Sequence, residues 1–396
     1  MNKKRIVYAL SGVIVMAMSS TDIFLSSLPQ MAIDFKVDPD IVNLMLTLNA
    51  LGMALGCPMC GFISDRYGRR PLFLNSLAGY MLVSLAIALV PDIFTINFLR
   101  FIQGLLMSVF AIVSRQIITD ISNDKKDQLY YTGILVTGIV LSPAIAPIVG
   151  AYIAQFLSWR WCFVLSAILA ALFYSILRVN LLESSEKRLA LPKINELYEE
   201  YAVFFRSRTF NAYSAMITFT YGTYFAFITM SSFIYIERLD MSPTAYSTIF
   251  LALAGAFLIG NYLMLKLNQE NVSRPHIVAS GIAISMVGII ISCGVYWTQA
   301  IDGLLIMLTL GAVFMRCGCA MIMTTSQVIV MNAEEWRHGT ALGLLYFLQF
   351  IFGAAASAIV SSMHSSPIHG MVGVMTVLMV GSLIIFLYQY NRDSDA

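Results

Sequence analysis

Three ionisable side chains lie inside runs that are otherwise almost wholly apolar: Asp22, Arg100 and Arg316. A charge placed in hydrocarbon costs roughly 2.5–3.5 kcal/mol on insertion scales, so such groups normally face a partner or a wet cavity. Asp22 is suited to reversible protonation. Burial favours a neutral carboxyl and a nearby guanidinium favours an ionised one, so motion relative to Arg100 or to a bound solute would switch it between loaded and empty. A static buried contact between the two is the competing reading. Asp22 is expected about six residues before the outer end of its run, and Arg100 about seven after the outer start of its own. At about 1.5 Å of rise per residue the two share a depth. Gln103 and Gly104 follow one turn inward from Arg100, the first a candidate for contact with cargo, the second small enough to let helices approach. Arg316 lies about thirteen residues into its run, with no comparable carboxylate embedded in the second half. It either meets an anionic or strongly polar solute, or donates to helix carbonyls or a first-half partner. Among the aromatics, Tyr221 and Tyr224 are the two candidates for an apolar binding wall.

A second concentration of charge runs from Gly61 to Leu72, where Asp65, Arg66, Arg69 and Arg70 are flanked by Gly61, Gly68 and Pro71. Gly68 permits a turn closed to bulkier residues and Pro71 suits the first turn of a helix, so the segment predicts a tight charged turn at a membrane surface. Gly61 is expected to allow close helix packing. Asp65 can pair with these arginines or with a neighbouring helix, and charge pairs at such a boundary can latch one bundle to another.

The elements that must hold these residues are membrane helices. The 396 residues are 59% hydrophobic and only 12% charged, against about 25% charged in soluble domains. Twelve segments reach the 20 or so apolar residues of a span: about 6–28, 41–64, 71–90, 93–118, 129–156, 159–181, 209–236, 243–266, 275–297, 303–331, 338–363 and 369–390. In lipid these must be helices, since every backbone group needs an internal partner. The first run is too long for a signal peptide. With the amino terminus inside, nineteen Lys and Arg fall on the inner side and only Lys36, Arg160 and Arg238 outside, which predicts that both termini are cytoplasmic. The longest gap, 182–208, divides the chain into residues 1–181 and 209–396, two six-helix pseudo-repeats. Within it Leu191, Ile194, Leu197, Tyr198, Tyr201, Phe204 and Phe205 recur at helical spacing, predicting an amphipathic helix on the inner membrane face.

Several chemistries are disfavoured. A net charge of +2 gives no reason to expect nucleic acid. Cys57-x-x-Cys60 lies within a span, where small buried hydrophobes explain it better than redox or zinc chemistry. His276, His338, His364 and His369 sit at separate loop ends, so neither a metal site nor an enzyme is expected, and no phosphate-binding loop points to ATP or any other cofactor.

The Gly61–Leu72 segment resembles the signature loop between helices 2 and 3 of the major facilitator superfamily. Asp22-Ile-Phe-Leu-Ser-Ser-Leu-Pro29 resembles the helix 1 motif, and Leu99-Arg100-Phe-Ile-Gln103-Gly104 the helix 4 motif, of its twelve-helix drug:proton antiporters. Ser142-Pro143-Ala-Ile-Ala-Pro147-Ile-Val-Gly150 is similar to the antiporter motif on helix 5. Trp159-Arg160-Trp161 with Phe163, and Ser232-Phe-Ile-Tyr-Ile-Glu237 with Ser242-Pro243, look like the bicyclomycin and chloramphenicol resistance subfamily. Ser26 and Phe62 depart from its pattern, each standing where a proline is usual.

The resemblance implies a monomeric transporter of the bacterial inner membrane, surrounded by lipid, that exports amphipathic drugs or related small molecules in exchange for protons by alternating access. Pro143, Pro147 and Gly150 would form its antiporter element. A dedicated carrier for a natural metabolite, such as a siderophore or amino-acid derivative, is the alternative that Arg316 and Ser26 keep open.

Overall fold

A computed structural model describes residues 3–122, 125–183, 201–297, 300–332, 338–363 and 366–394. Helices account for nearly all of them, as apolar segments without water to satisfy their backbone must be. In chain order these are α1 (Lys3–Asp22), α2 (Leu28–Phe35), α3 (Pro39–Tyr67), α4 (Arg69–Leu89), α5 (Ile93–Ile121), α6 (Lys125–Phe156), α7 (Arg160–Asn180), α8 (Arg208–Ser232), α9 (Pro243–Gln269), α10 (Arg274–Cys293), α11 (Ile301–Asn332), α12 (His338–Ser361) and α13 (Pro367–Ser394). Ten segments, α1 and α2 counting as one, are long and apolar enough to cross a membrane. The remaining two of the twelve expected spans are α6, apolar over Ser142–Phe156, and α8, long enough but rich in Thr and Ser.

The ends follow local chemistry. Asp92 and Ser242 accept from the backbone N–H of Thr95 (2.7 Å) and Ala245 (3.2 Å), satisfying donors that a helix start leaves open. Gly68 stops α3 at φ 96°, where a side chain would be strained, and α4 begins at once. One boundary differs from the sequence reading. The first span does not end near Leu28 but breaks after Asp22, passes through a 3-10 turn at Leu25–Ser27 and resumes to Phe35. Pro29 explains part of the break, because it has no N–H to return to the preceding turn. Asp22 therefore sits at a discontinuity in the helix.

Within the first six spans α1 packs on α6 and α7, α3 on α5, and α4 on α5 and α7. In the last six, α10 packs on α11, α9 on α11, and α8 on α11, α12 and α13. The two groups meet chiefly where α3 lies along α12 and α6 along α9. Of the helix expected between them, Leu191, Ile194, Leu197 and Tyr198 lie outside the described residues. Residues 201–206 are helical. There Phe204 is buried against Phe210, and Tyr201 donates to the Pro58 carbonyl at 2.9 Å with its ring edge-on to Phe62, so this end docks on α3.

Candidate substrate and proton site

The break after Asp22 sets up the site. A helix that stops leaves its last carbonyls without intrahelical donors, and Arg100 supplies one, donating from Nη1 to the Ser20 carbonyl at 3.3 Å. Its Nε donates to the Met45 carbonyl of α3 at 3.3 Å and Nη1 also reaches Gln103 Oε1 at 2.5 Å. The guanidinium lies 4.8 Å from the Phe24 ring and 5.8 Å from that of Phe163, while Nη2 is buried without a partner. Arg100 is wholly buried and ties α1, α3, α5 and α7 together. Gln103 completes the arrangement by donating to Ser84 at 2.9 Å. Gln103 is wholly buried and bonded at both ends.

Gly104 and Gly150 are the close approaches. A Cβ at Gly104 would collide with the Asn49 backbone of α3, and one at Gly150 would overlap the Ile23 carbonyl, just beyond Asp22. The helix 5 motif thus touches the break itself. Gly61 does not act in this way: the nearest atom to a Cβ there is Gln116 Nε2 at 3.8 Å, ordinary contact distance.

Asp22 is buried, and of the two embedded arginines Arg100 comes as near as the Ser20 carbonyl, two residues away. Neither pairs with it. The ion pairs among the described residues are those of Arg69 with Asp65 and Asp120. At the C-terminal end of α1 the helix dipole opposes a negative charge while the arginines favour it, so the carboxyl stands between opposing fields. The static Asp22–Arg100 salt bridge considered from the sequence is not what this conformation holds.

On α11 the Arg316 guanidinium lies over the rings of Tyr224 on α8 (3.9 Å) and Phe257 on α9 (4.6 Å). Among the described residues nothing accepts a hydrogen bond from it. Arg316 and Tyr224 line a small pocket, with Thr223, Phe227, Leu253 and Met315 in its wall. The Tyr224 hydroxyl is buried there without a partner. Tyr221 packs 4.8 Å from Phe225 and 5.6 Å from Phe350, ring centre to ring centre. Sequence reasoning missed Phe257, one aromatic among the 25 Phe of the chain with no spacing to mark it.

The charged turn lies apart from this cavity. Arg69 pairs with Asp65 (3.4 Å) and Asp120, and donates to the Gln116 carbonyl at 3.0 Å; its backbone N–H donates to Glu183 at 3.0 Å. Arg70 donates to the carbonyls of Leu181 (2.6 Å) and Arg178 (3.0 Å), and Arg66 lies over the Tyr67 ring. These bonds reach α5 and the end of α7, so here the turn fastens parts of the first half to each other. In the same region the Arg115 guanidinium lies over the second half, 5.1 Å from the Tyr346 ring. Cys57 and Cys60 are buried free thiols.

Twelve helical spans around embedded, unpaired charges describe a membrane transporter rather than an enzyme. The chain belongs to the major facilitator superfamily, whose family model matches residues 10–358. It is 25% identical over 389 residues to a bicyclomycin resistance protein homologue of Haemophilus influenzae, covering 94% of this chain and 92% of that one. It is 26% identical over 302 residues to the multidrug transporter MdfA of Shigella boydii, covering 76% and 73%. Among solved structures, a bacterial homologue of the human lysosomal transporter Spinster, inward-facing and unoccupied, superposes with a TM-score of 0.78 at 14% identity, covering 98% of this chain and 97% of that one. A D-xylose–proton symporter gives 0.73 at 14%, with 96% of each chain covered. At those identities the superpositions speak for the fold.

Proposed function

We propose that this transporter exports small amphipathic molecules in exchange for protons, with Asp22 as the proton carrier and Arg100 as the group that holds and tunes it. The observation that carries the reading is the state of Asp22: buried at a helix break, within the fields of two arginines, and paired with neither. A carboxyl so placed changes its proton occupancy when either field moves. Cargo enters beside Arg316, Tyr221 and Tyr224, and residues 1–181 and 209–396 rock as two units about it, joined by 182–208. Pro143, Pro147 and Gly150 let α6 bend against the break in α1. The turn built from Gly61, Asp65, Arg66, Gly68, Arg69 and Arg70 acts as the latch, holding α3 and α4 to α5 and α7 in one state and releasing them in the other. The names of the relatives favour drugs as cargo, and the protein acts as a monomer in the bacterial inner membrane with both termini cytoplasmic.

A carrier dedicated to one natural metabolite is the second reading, favoured by the unengaged donors of Arg316. The test is transport in proteoliposomes against a compound panel, with and without a proton gradient. Asp22→Asn is expected to abolish gradient-driven transport while the protein still inserts and folds. Gradient-driven transport by that variant at the wild-type rate would remove Asp22 from the mechanism.

A further inference from the structure

A polar layer crosses the seam where α3 of the first half lies along α12 of the second. Thr47 Oγ1 on α3 is 2.9 Å from Ser357 Oγ on α12, which is in turn 2.9 Å from Thr229 Oγ1 on α8. All three side chains are buried. A hydroxyl has one proton to give, and that gives the three groups an order. Thr229 also reaches the carbonyl of Phe225, one turn back on its own helix, at 2.7 Å. With its proton there, Thr229 accepts from Ser357, and Ser357 accepts from Thr47. The bond between the halves is thus the one from Thr47 to Ser357, and Thr229 orients Ser357 to receive it.

The layer separates two regions of the seam. One turn back from Thr229 and from Ser357 stand Phe225 and Gly353, and both meet Tyr221: the Phe225 ring lies 4.8 Å from the tyrosine ring, and a Cβ at Gly353 would come within 2.9 Å of it. In the other direction Met230, next to Thr229, lines a pocket of about 270 Å³. Its wall takes Pro39 from the first half and Phe233, Glu237, Arg238 and Pro367 from the second. The three hydroxyls therefore lie between a candidate cargo residue and a pocket at the end of the seam that the proposed orientation puts outside.

The donors can also let go. Thr47 has the Asn43 carbonyl one turn back at 3.5 Å, as Thr229 has that of Phe225. Helical Ser and Thr hydroxyls commonly return to such carbonyls. Each threonine can drop Ser357 without leaving a buried hydroxyl unmatched, the cost that makes most buried polar contacts hard to break.

We propose that Thr47, Ser357 and Thr229 form a releasable clasp that holds the outer mouth shut and opens when the halves rock. This rests on the rocking of the two halves in the reading above, and on neither its cargo nor its proton carrier. A contact made in one conformation and lost in the other biases the population by its net worth. For one hydrogen bond that is a factor of about five to ten.

The test uses the purified full-length protein in lipid nanodiscs, with nitroxide labels on Asp38→Cys before α3 and Asp302→Cys at the start of α11, both exposed positions. Cys293→Ser and Cys317→Ser remove the two cysteines that are not fully buried. Double electron–electron resonance then gives the ratio of open to closed outer mouths. Ser357→Ala and Thr47→Val should each raise it about fivefold to tenfold, and Thr229→Val by less. The double variant Thr47→Val/Ser357→Ala should go no further than either single one, because both remove the same bond. Ser166→Ala deletes a buried hydroxyl bonded within α7, to the Cys162 carbonyl at 3.0 Å, and should leave the ratio unchanged. An unchanged ratio in Ser357→Ala or Thr47→Val, effects that add in the double variant, or an equal rise from Ser166→Ala would overturn the clasp and leave the rocking motion standing. A single outer-mouth distance shared by every protein would overturn both.

Discussion

The two embedded arginines meet the same physical demand in opposite ways. Arg100 is wholly buried and donates to two backbone carbonyls and to Gln103, at a point where four helices converge. Arg316 is only half-buried, donates to no described residue, and is held by two aromatic faces. Hydrogen bonds to a guanidinium fix its position and close it to other acceptors. Ring stacking fixes position equally well but leaves the donors open. Arg100 therefore reads as the strut that holds the Asp22 break in place, and Arg316 as the group free to take cargo.

Stability should separate them most strongly. Arg100→Ala leaves the Ser20 and Met45 carbonyls without this donor and opens a cavity among Phe24 and Phe163, so a loss on the order of 3 kcal/mol is expected. Arg316→Ala removes two stacking contacts of about 0.5–2 kcal/mol each but also relieves an unmatched charge, so its net change should stay within about 1 kcal/mol. Unfolding midpoints in detergent, followed by circular dichroism, check this. Equal losses would show that Arg316 is as structural as Arg100 and remove the contrast.

A smaller effect tests which close contact positions Asp22. Gly150→Val places side-chain atoms where the Ile23 carbonyl now lies and should cost about 1–3 kcal/mol by overpacking, with loss of transport. Gly61→Ala meets only Gln116 at 3.8 Å and should be neutral, or stabilising by up to about 1 kcal/mol because Ala is the better helix former. A Gly61→Ala protein as impaired as Gly150→Val would mean that α3 and α5 pack more closely in another state.

That pair also shows what the sequence could tell. The spans were legible because lipid leaves apolar segments a single solution, and the Asp22, Arg100 and Arg316 candidates because buried charge is rare. Gly68 was readable, since the need for positive φ is local. The break after Asp22 was not: the run continues largely apolar to Leu28, and Pro29 alone signals it. Gly61 and Gly150 look alike in sequence and differ only in what the neighbouring helix brings to them. Phe257 was missed for the same reason, since which face of a helix meets a cation on another depends on partners distant in the chain.

The smallest expected effect is a control on the charge comparison. Asp92, exposed at the start of α5 on the helix that carries Arg100, accepts from the Thr95 N–H, which holds its carboxyl below the ordinary value of 3.8. A carboxyl lowered on folding contributes stability that is present above its unfolded value and lost as pH falls through the folded one. Its titration is complete well below pH 5, so Asp92→Asn, which keeps a capping oxygen, should leave the pH profile of transport between about pH 5 and 8 unchanged. Asp22→Asn should flatten whatever dependence exists in that window. Initial rates in proteoliposomes across the range decide between them. A shift caused by Asp92→Asn would place a proton-linked step at the start of α5, whereas its absence is what coupling through Asp22 requires.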